Sequence, residues 1–523
     1  MLKRDRAANR DAKVVVIGAG MSGLTAGAYL ARAGFPVTVF EQFSEVGGVT
    51  TTLEEDDFSW DLGPLLLEGF APDERGGRIL KELDVADRVA LKMDDRAYVF
   101  PDFDLRKPET YQGPGWRRER LHHLFPAERQ GIDRYYRFYN RVMDLMTLHI
   151  RSAEARGPRK LLLKLRTWLA YNRIKDREAW SAQKLMSHFF VDRRLKAVFT
   201  SILADFVVRP SRFPALGIPL LNVENAFDHR IPRKASTAGK RPSYHFVLGG
   251  CGTLAEAVAD VIRDHGGRIY TTATVEKILV NADRVTGVQL AGGRVEKADI
   301  VVATGGAKET FFQLVGREYL PSGFAYQVDE LQLMDSVLMV HLGVDFDPQP
   351  YQPNALTYYY GTYDIEEGVR RCQQGIYHEG DDGFLIYIPS LHSPELAPSG
   401  HHAITIYTIA PNELSRGTWR RRKRKLADQL VAQAERVIPG LREHTKTRVI
   451  LTPEDFRDRT HLDHHAFGGR APVMGQEGPG HATPIRGLWF AGAQSESGGG
   501  VQNVMIGARE TAHQIIKDRT STS

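Results

Sequence analysis

The N-terminal segment constrains the fold more than any other part of the sequence. A β-branched run at residues 13–17 leads into GAGMSG at residues 18–23, and a segment of small residues continues to Gly34. A second apolar run then ends at Glu41. A short β-branched run is typical of a buried parallel strand, and the segment between the two runs has the length of a helix. The pattern predicts a strand–turn–helix–strand unit, the opening of a doubly wound α/β fold.

The glycines of the turn, together with Glu41, predict a dinucleotide site. Gly18 permits a tight turn, Gly20 lets a pyrophosphate approach the backbone, and Gly23 lets helix and strand pack closely. The helix would direct N–H groups and the positive end of its dipole at the phosphates. Glu41 lies 18 residues after Gly23 (41 − 23). A carboxylate there accepts both ribose hydroxyls and repels a 2′-phosphate, so we expect FAD or NAD and not NADP.

Two further glycine segments favour FAD over NAD. Gly47 and Gly48 follow Glu41 closely, as if the chain passes the dinucleotide a second time. Residues 487–500, GLWFAGAQSESGGG, combine a predicted strand, a glycine cluster and the start of a helix. Such a return segment suits a ribityl chain and a flavin ring, whereas a domain that binds only NAD needs none. We therefore expect both ends of the chain to converge on one FAD.

Segments spread from end to end resemble a known group of flavoproteins. The sequence is similar to the phytoene desaturase, carotenoid isomerase and retinol saturase group, within the wider amine-oxidase-like superfamily. The matching segments are VVVIGAGMSGLTAGAYLARAGFPVTVFEQ, GGVTTTLEEDDFSWDLGP, FVLGGCGTLAEAVADVIRDHGGRIY, ADIVVATGG, LTPEDF and GLWFAGAQSESGGGVQNVMIGARETA.

The resemblance implies a set of residues that contact FAD. The N-terminal turn and Glu41 would hold the ADP half, the Gly47-Gly48 pair would lie along the pyrophosphate, and Val275 would meet the adenine through its backbone. The segments around residues 492 and 501 would flank the ribityl chain and the ring. The full set is Gly18, Gly20, Met21, Ser22, Gly23, Glu41, Gln42, Gly47, Gly48, Val49, Val275, Gly492, Ala493, Gly500 and Val501.

This chain departs from the resemblance at two of those positions. Many relatives carry Arg directly after the Gly-Gly pair, where this chain has Val49. Many flavoproteins carry an acid after the C-terminal glycine, where this chain has Ala493, as the carotenoid branch does.

The order of predicted elements indicates three interleaved parts. A Rossmann-type FAD-binding domain would be built from residues 1–115, 241–310 and 456–523. A helical subdomain that faces the substrate or a membrane would be inserted at residues 116–240, and residues 311–455 would form a mixed-sheet substrate domain. The predicted fold class is therefore α/β, with an interleaved FAD-binding domain, a mixed-sheet domain and a helical insert.

The resemblance implies an FAD-dependent oxidoreductase in which flavin N5 exchanges hydride with the substrate. We expect a long apolar isoprenoid or polyene-like substrate that is desaturated, saturated or isomerised. An amine-oxidase-type enzyme on a smaller polar substrate is the alternative, because residues 495–497, Ser-Glu-Ser, are polar for a hydrocarbon site. A non-catalytic isoprenoid-binding protein is the third hypothesis. Glu496 and His465 are the candidate acid–base residues, and Glu496 also has an interpretation as a structural partner of backbone N–H groups.

Three weaker patterns have competing interpretations. Residues 250–252, Gly-Cys-Gly, open a predicted helix and form either a degenerate second dinucleotide turn or an ordinary helix start. Residues 461–465, HLDHH, crowd together, but adjacent histidines on a strand point to opposite faces, so we expect no metal site. The basic and apolar segment at residues 160–172 predicts an amphipathic helix that docks on a bilayer, covers a channel, or is an ordinary surface helix.

The composition and charge of the chain indicate which classes of binding partner to expect. A net charge of +5 does not indicate nucleic acid. With two cysteines and no apolar run behind the charged N-terminus, we expect no disulfide framework, no signal peptide and a cytoplasmic protein. Clusters of Arg and Lys leave a membrane surface open as a partner beside a small hydrophobic substrate, and the oligomeric state stays open.

Overall fold

A computed structural model describes the chain over residues 11–109, 115–228, 243–462 and 469–521. The strands are β1 Val14–Ile17, β2 Val37–Phe40, β3 Thr52–Glu55, β4 Phe58–Asp61, β5 Leu67–Glu68, β6 Leu91–Met93, β7 Arg96–Val99, β8 Asp104–Leu105, β9 Tyr244–Val247, β10 Arg268–Tyr270, β11 Val275–Asn281, β12 Arg284–Leu290, β13 Val295–Lys297, β14 Ile300–Ala303, β15 Ser336–Val344, β16 Leu356–Tyr360, β17 Gly383–Tyr387, β18 His402–Ala410, β19 Thr445–Leu451 and β20 Leu488–Phe490. The helices are α1 Met21–Arg32, α2 Arg75–Glu82, α3 Trp116–Leu124, α4 Arg129–Glu154, α5 Gly157–Asn172, α6 Ala182–Phe189, α7 Arg193–Thr200, α8 Ile218–Leu221, α9 Cys251–Asp264, α10 Ser322–Asp329, α11 Ile365–Gln373, α12 Trp419–Glu435, α13 Pro453–Thr460 and α14 Val501–Ser521.

One parallel sheet takes strands from the start, the middle and the end of the chain. Its order is β10-β2-β1-β14-β20, and every pairing is parallel. Its central strands β1 and β14 are apolar along their length because both faces of the sheet are covered. One face packs on α1, α9 and α14, and the other packs on β11, β12 and a π-helix at Glu309–Gly316. This sheet confirms the predicted interleaved Rossmann-type domain.

The small residues of α1 allow it to lie close to its neighbours. A Cβ placed on Gly27 would come 2.9 Å from Ile262 Cδ1 on α9, and Ala28 is fully buried in the same cluster as Ala508 and Ala512 of α14. Because α1 follows β1 after three residues, this packing fixes where the N-terminus of α1 points. The turn that carries the predicted dinucleotide site is therefore held by the core on both sides.

A second sheet of seven strands, in the order β19-β15-β18-β17-β16-β7-β8, forms the mixed-sheet domain. It is antiparallel except where β16 pairs with β7. One side packs on α12, with Leu426 and Leu430 against Val340 and Ile404. The opposite side carries a row of buried tyrosines and faces the inserted helices.

The membership of this sheet differs from the predicted division of the chain. Strands β7 and β8 belong to residues 1–115, which the sequence pattern assigns to the FAD-binding domain, yet they complete the mixed sheet. The reason is the parallel pairing of Arg96–Val99 with Leu356–Tyr359. A pairing across so many residues leaves no local pattern in the sequence.

The inserted segment is helical, as expected, from α3 through α8. Its longest helix, α4, has 26 residues, and its buried rings include Tyr135, Tyr139 and Phe199. Residues 229–242 of the insert lie outside the described residues. None of the helices in the described part of the chain is long and apolar enough to cross a membrane.

Candidate functional site

The turn between β1 and α1 leaves room for a ligand at Gly20. A Cβ placed on Gly23 would lie 1.9 Å from the carbonyl oxygen of Gly18, and Gly18 itself has φ +95°. On Gly20, by contrast, no atom of the described residues lies within 4 Å of an added Cβ. Gly23 is therefore required by the packing of the protein itself, whereas Gly20 borders empty space.

The N-terminus of α1 is buried and carries free hydrogen-bonding groups. Met21 and Ser22 are 3% and 5% exposed. Within residues 11–109, 115–228, 243–462 and 469–521, no side chain caps the helix, and Ser22 Oγ has no hydrogen-bond partner. A buried helix end normally has partners for its N–H groups, and an anion supplies them most simply.

Glu41 is fixed by two backbone N–H groups at the end of β2. Its Oε2 accepts from Ala19 N–H at 2.6 Å and its Oε1 from Phe43 N–H at 2.9 Å. The Glu41 carbonyl also accepts from Ala273 N–H at 2.8 Å, which brings the start of β11, with Val275, beside it. The acid and the strand expected at the adenosine end are therefore neighbours in space.

The Gly47-Gly48 pair lies directly against the first turn. Gly47 N–H donates to the Ala19 carbonyl at 2.7 Å, and Gly47 forms a parallel bridge with Gly20. A Cβ on Gly48, whose φ is +64°, would come 3.3 Å from Gly20 Cα. The chain does pass the turn a second time, and only residues without side chains permit so close an approach.

The C-terminal segment reaches the same place through Thr304. Strand β20 pairs with β14, which pairs with β1. Thr304 follows β14, and its Oγ1 donates to the Ile17 carbonyl at 2.8 Å. A Cβ on Gly492 would meet the Thr304 carbonyl oxygen at 2.8 Å. Gly18 and Gly492 thus flank one residue, and the two ends of the chain converge.

Comparison with known proteins decides the family. The family described as flavin containing amine oxidoreductase matches residues 21–516. The chain belongs to this family. It is an FAD-dependent oxidoreductase with the fold of the amine-oxidase-like flavoproteins.

Individual relatives match over nearly the whole chain. Pyridine nucleotide-disulfide oxidoreductase domain-containing protein 2 of Rattus norvegicus is 26% identical over 572 residues, covering 96% of this chain and 93% of the relative. Phytoene desaturase (lycopene-forming) of Pseudescherichia vulneris is 26% identical over 533 residues, covering 97% and 99%. Among solved structures, putrescine oxidase bound to putrescine has a TM-score of 0.61 at 16% identity, covering 97% and 99%. That likeness concerns the fold alone.

The residues at the turn fit FAD. The open space at Gly20 and the uncapped, buried end of α1 suit a pyrophosphate, and the Glu41 carboxylate suits a ribose. Gln42 lies next to Glu41, and its Nε2 donates to the Arg459 carbonyl at 3.3 Å. Val49, the residue that replaces Arg in this chain, packs on the apolar cluster between the mixed sheet and the insert. The cofactor site and that cluster are therefore contiguous.

The C-terminal members of the predicted set lie around the start of α14. Ala493 accepts a hydrogen bond from Arg470 N–H at 3.2 Å. Gly500 has φ +97°, and Val501 begins the helix. The next residue, Gln502, donates from Nε2 to the Gly69 carbonyl at 3.0 Å. Their contacts with FAD stay predictions.

Glu496 has the kind of partner expected for its structural interpretation. Its Oε1 accepts from His481 N–H at 2.8 Å, and its side chain is 53% exposed. His481 in turn bonds Ser497 Oγ through Nε2 at 2.7 Å and the Phe490 carbonyl through Nδ1 at 2.9 Å. A catalytic role for Glu496 stays a prediction. His465, with Asp463 and His464, lies outside the described residues.

Arg459 is a cation at the cofactor site that the sequence did not indicate. Its Nε donates to the Gly48 carbonyl at 3.2 Å, and its Cζ lies 3.8 Å from the centre of the Phe43 ring. Glu45 Oε2 is 3.9 Å from Nη2, too far for a hydrogen bond. Among the described residues Nη2 has no hydrogen-bond partner although it is buried. The guanidinium therefore keeps a free donor beside the Gly47-Gly48 pair.

The Gly-Cys-Gly turn at residues 250–252 is occupied by protein groups. Asp61 Oδ1 accepts from Cys251 N–H at 2.6 Å, and Thr52 Oγ1 accepts from Gly252 N–H at 3.0 Å. A Cβ on Gly250 would lie 2.3 Å from Thr52 Oγ1. The N–H groups that a second dinucleotide would need are already bonded, so the turn is an ordinary helix start.

Asp61 predicts a pH dependence of stability. Burial raises the pKa of Asp61 from 3.8 to about 6, and this outweighs its hydrogen bond from Cys251. The folded state then holds an extra proton between about pH 4 and pH 6, so the stability from this group is full below pH 4 and lost as pH rises through 6. Asp61→Asn should abolish that loss, about 1.4 kcal/mol per pKa unit. Urea midpoints of both apoproteins across this range measure it, and equal slopes would contradict it.

Proposed function

We propose that the protein exchanges hydride between FAD and an elongated, apolar, unsaturated substrate held between the seven-stranded sheet and the helical insert. The observation that carries the proposal is the aromatic wall on that side of the sheet. Tyr98, Tyr358, Tyr360 and Tyr407 are at most 9% exposed and share one apolar cluster with the insert. Aromatic faces suit a flat conjugated chain.

The cluster also reaches the cofactor segments. Leu62 and Leu65 belong to it, and Val49 packs on it from the residue after the Gly47-Gly48 pair. A substrate lying along the aromatic wall would therefore approach the flavin from one end. The similarity to a phytoene desaturase along nearly the whole chain supports the same substrate class.

The protein's own contribution is orientation and exclusion of water. When bound, FAD accepts or donates hydride at N5. The buried rings and aliphatic side chains of the wall hold the substrate in one register and keep water from the reacting carbons. Desaturation, saturation and isomerisation would all use this arrangement. They differ in their electron balance: an acceptor removes two electrons from the flavin after desaturation, a donor supplies two electrons to the flavin for saturation, and isomerisation needs no net transfer.

Buried ionisable groups favour a second candidate, an amine-oxidase-type reaction on a smaller polar substrate. Arg96 is 6% exposed, lies 5.0 Å from the Tyr244 ring, and has no hydrogen-bond partner for Nε in the described part of the chain. Burial raises the pKa of Asp205 and of Glu68 to about 7. These groups make one region of the interior polar, and the fold is also that of putrescine oxidase.

Anaerobic reduction of the flavin separates these candidates. The holoenzyme is mixed without oxygen with a long acyclic polyene, or with a diamine such as putrescine, and the visible flavin band is followed. We expect bleaching by a polyene and none by the amine. Bleaching by the amine alone would replace the first candidate by the second. Flavin reduced beforehand with dithionite is mixed with the same polyene, because a substrate that is saturated would reoxidise it, and the recovered polyene is analysed for isomers. A bound isoprenoid that alters neither the oxidised nor the reduced flavin and is not itself isomerised would favour the non-catalytic hypothesis.

A pair of variants links that result to the aromatic wall. Tyr358→Ala removes a buried ring of the wall and should raise the polyene concentration needed for half-maximal bleaching about tenfold, with the resting flavin spectrum unchanged. Tyr351→Ala removes a tyrosine that is 45% exposed and should change nothing. Equal effects from both variants would place the substrate elsewhere.

A further inference from the structure

Helix α5 exposes a continuous apolar face. Five large side chains of this one helix are 47–74% exposed, although the helix has 16 residues. They are Leu161, Leu162, Leu165, Trp168 and Leu169. Scattered single apolar residues are normal on protein surfaces, but five on four turns form a patch, and such patches mark interaction surfaces.

Helical geometry places these five residues on the side turned away from the protein. At about 100° per residue, they span an arc of about 120°. Leu163, the buried residue of the helix, lies on the opposite side, where α5 packs on α4. Ile174, just after the helix, belongs to the apolar cluster of the insert. Helix α5 therefore directs more of its large apolar side chains toward solvent than toward the protein core.

Basic residues border the exposed face on both sides. Lys160 and Lys164 lie on one flank, and Arg159 and Arg166 on the other. From Arg156 to Lys175 the chain carries seven basic residues and no acidic one. Long cationic side chains in this position extend their charges sideways to anionic headgroups while the apolar face enters the acyl boundary.

We propose that α5 docks the protein on an anionic lipid bilayer, lying in the plane of the headgroups. The charge of the helix indicates what binds its exposed face. Two copies of so basic a face would repel each other, whereas anionic lipid is complementary to it. A helix of 16 residues is about 24 Å long and suits a position along the surface. The docking does not depend on which substrate the enzyme uses.

Vesicle binding by the holoenzyme tests the proposal. The probe is large vesicles of phosphatidylcholine alone, or of phosphatidylcholine with about one third phosphatidylglycerol. We expect co-sedimentation with the anionic vesicles, weaker binding to the neutral ones, and release at high salt. The double substitution Leu165→Glu with Trp168→Glu should lower anionic vesicle affinity at least about tenfold. Tyr326→Glu, at a tyrosine 68% exposed on α10, is the matched control and should bind like the wild type.

Tryptophan fluorescence reports on the same helix directly. Trp168 is 59% exposed, whereas the chain's other five tryptophans are buried or half-buried. Vesicles should therefore shift Trp168 emission to the blue and protect it from acrylamide, and Trp168→Phe should remove the response. The visible spectrum of bound FAD, unchanged in each variant, shows that folding is intact. Absence of vesicle binding, equal binding by the double variant, or a wild-type dimer that the double variant dissociates would each overturn the proposal.

Discussion

Replacing Gly20 by valine is expected to lower FAD affinity at least about a hundredfold while leaving the stability of the apoprotein unchanged. The reason is that no described atom lies within 4 Å of a Cβ on Gly20, and that its backbone, at φ −70° and ψ 172°, suits any residue. The valine would therefore fill the space of the pyrophosphate and nothing else. Apoprotein titrated with FAD, followed by flavin fluorescence, gives the affinity, and a urea midpoint gives the stability.

Gly23→Ala is the matched comparison, three residues away in the same turn. It differs in cause, because the added methyl group would meet the protein itself. Its Cβ would lie 1.9 Å from the Gly18 carbonyl oxygen, so strain should cost about 2 kcal/mol in the apoprotein itself. FAD binding and stability should fall together. If Gly20→Val also destabilised the apoprotein, or if it bound FAD normally, the open space at the turn would not be the pyrophosphate site.

Replacing Arg459 by alanine is expected to weaken FAD binding about tenfold to a hundredfold, the range for a lost hydrogen bond to a charged group. Burial lowers the pKa of Arg459, the direction expected for a cation held away from water beside Phe43. Nη2, which is buried and has no hydrogen-bond partner among the described residues, is a donor that an anion beside Gly48 would satisfy. If this result is obtained, Arg459 of α13 supplies a positive charge beside the Gly47-Gly48 pair, where this chain has Val49 and many relatives have Arg.

Two controls separate a phosphate contact from a structural role of Arg459. Riboflavin has no pyrophosphate, so its affinity should be the same in the wild type and in Arg459→Ala. Arg459→Lys keeps the charge but loses the planar contact with Phe43, and should recover part of the FAD affinity, with a steeper dependence on salt. Loss of riboflavin binding to the same extent as FAD binding would show that Arg459 only supports the fold.

The cofactor-binding turn between β1 and α1 could be predicted from local patterns in the sequence. The order of strand, GAGMSG, helix and Glu41 is set by residues close in sequence, because a positive φ at Gly18 and the close packing at Gly23 are requirements of one short turn. The glycines of the Gly47-Gly48 pair and of residues 487–500 extended this prediction, and the structure brings both segments to the same turn. The parallel sheet and the helical insert also follow from these patterns.

Only the tertiary structure decided which distant groups meet. Arg459 contacts Gly48 across 411 residues of sequence, β7 joins the mixed sheet by pairing with β16, and Asp61 bonds the helix start at Cys251. The pattern of residues 160–172 predicts an amphipathic helix, but not whether its apolar side is covered. Such outcomes depend on how whole elements pack, because the same local sequence accepts several partners until burial of the rest of the chain selects one.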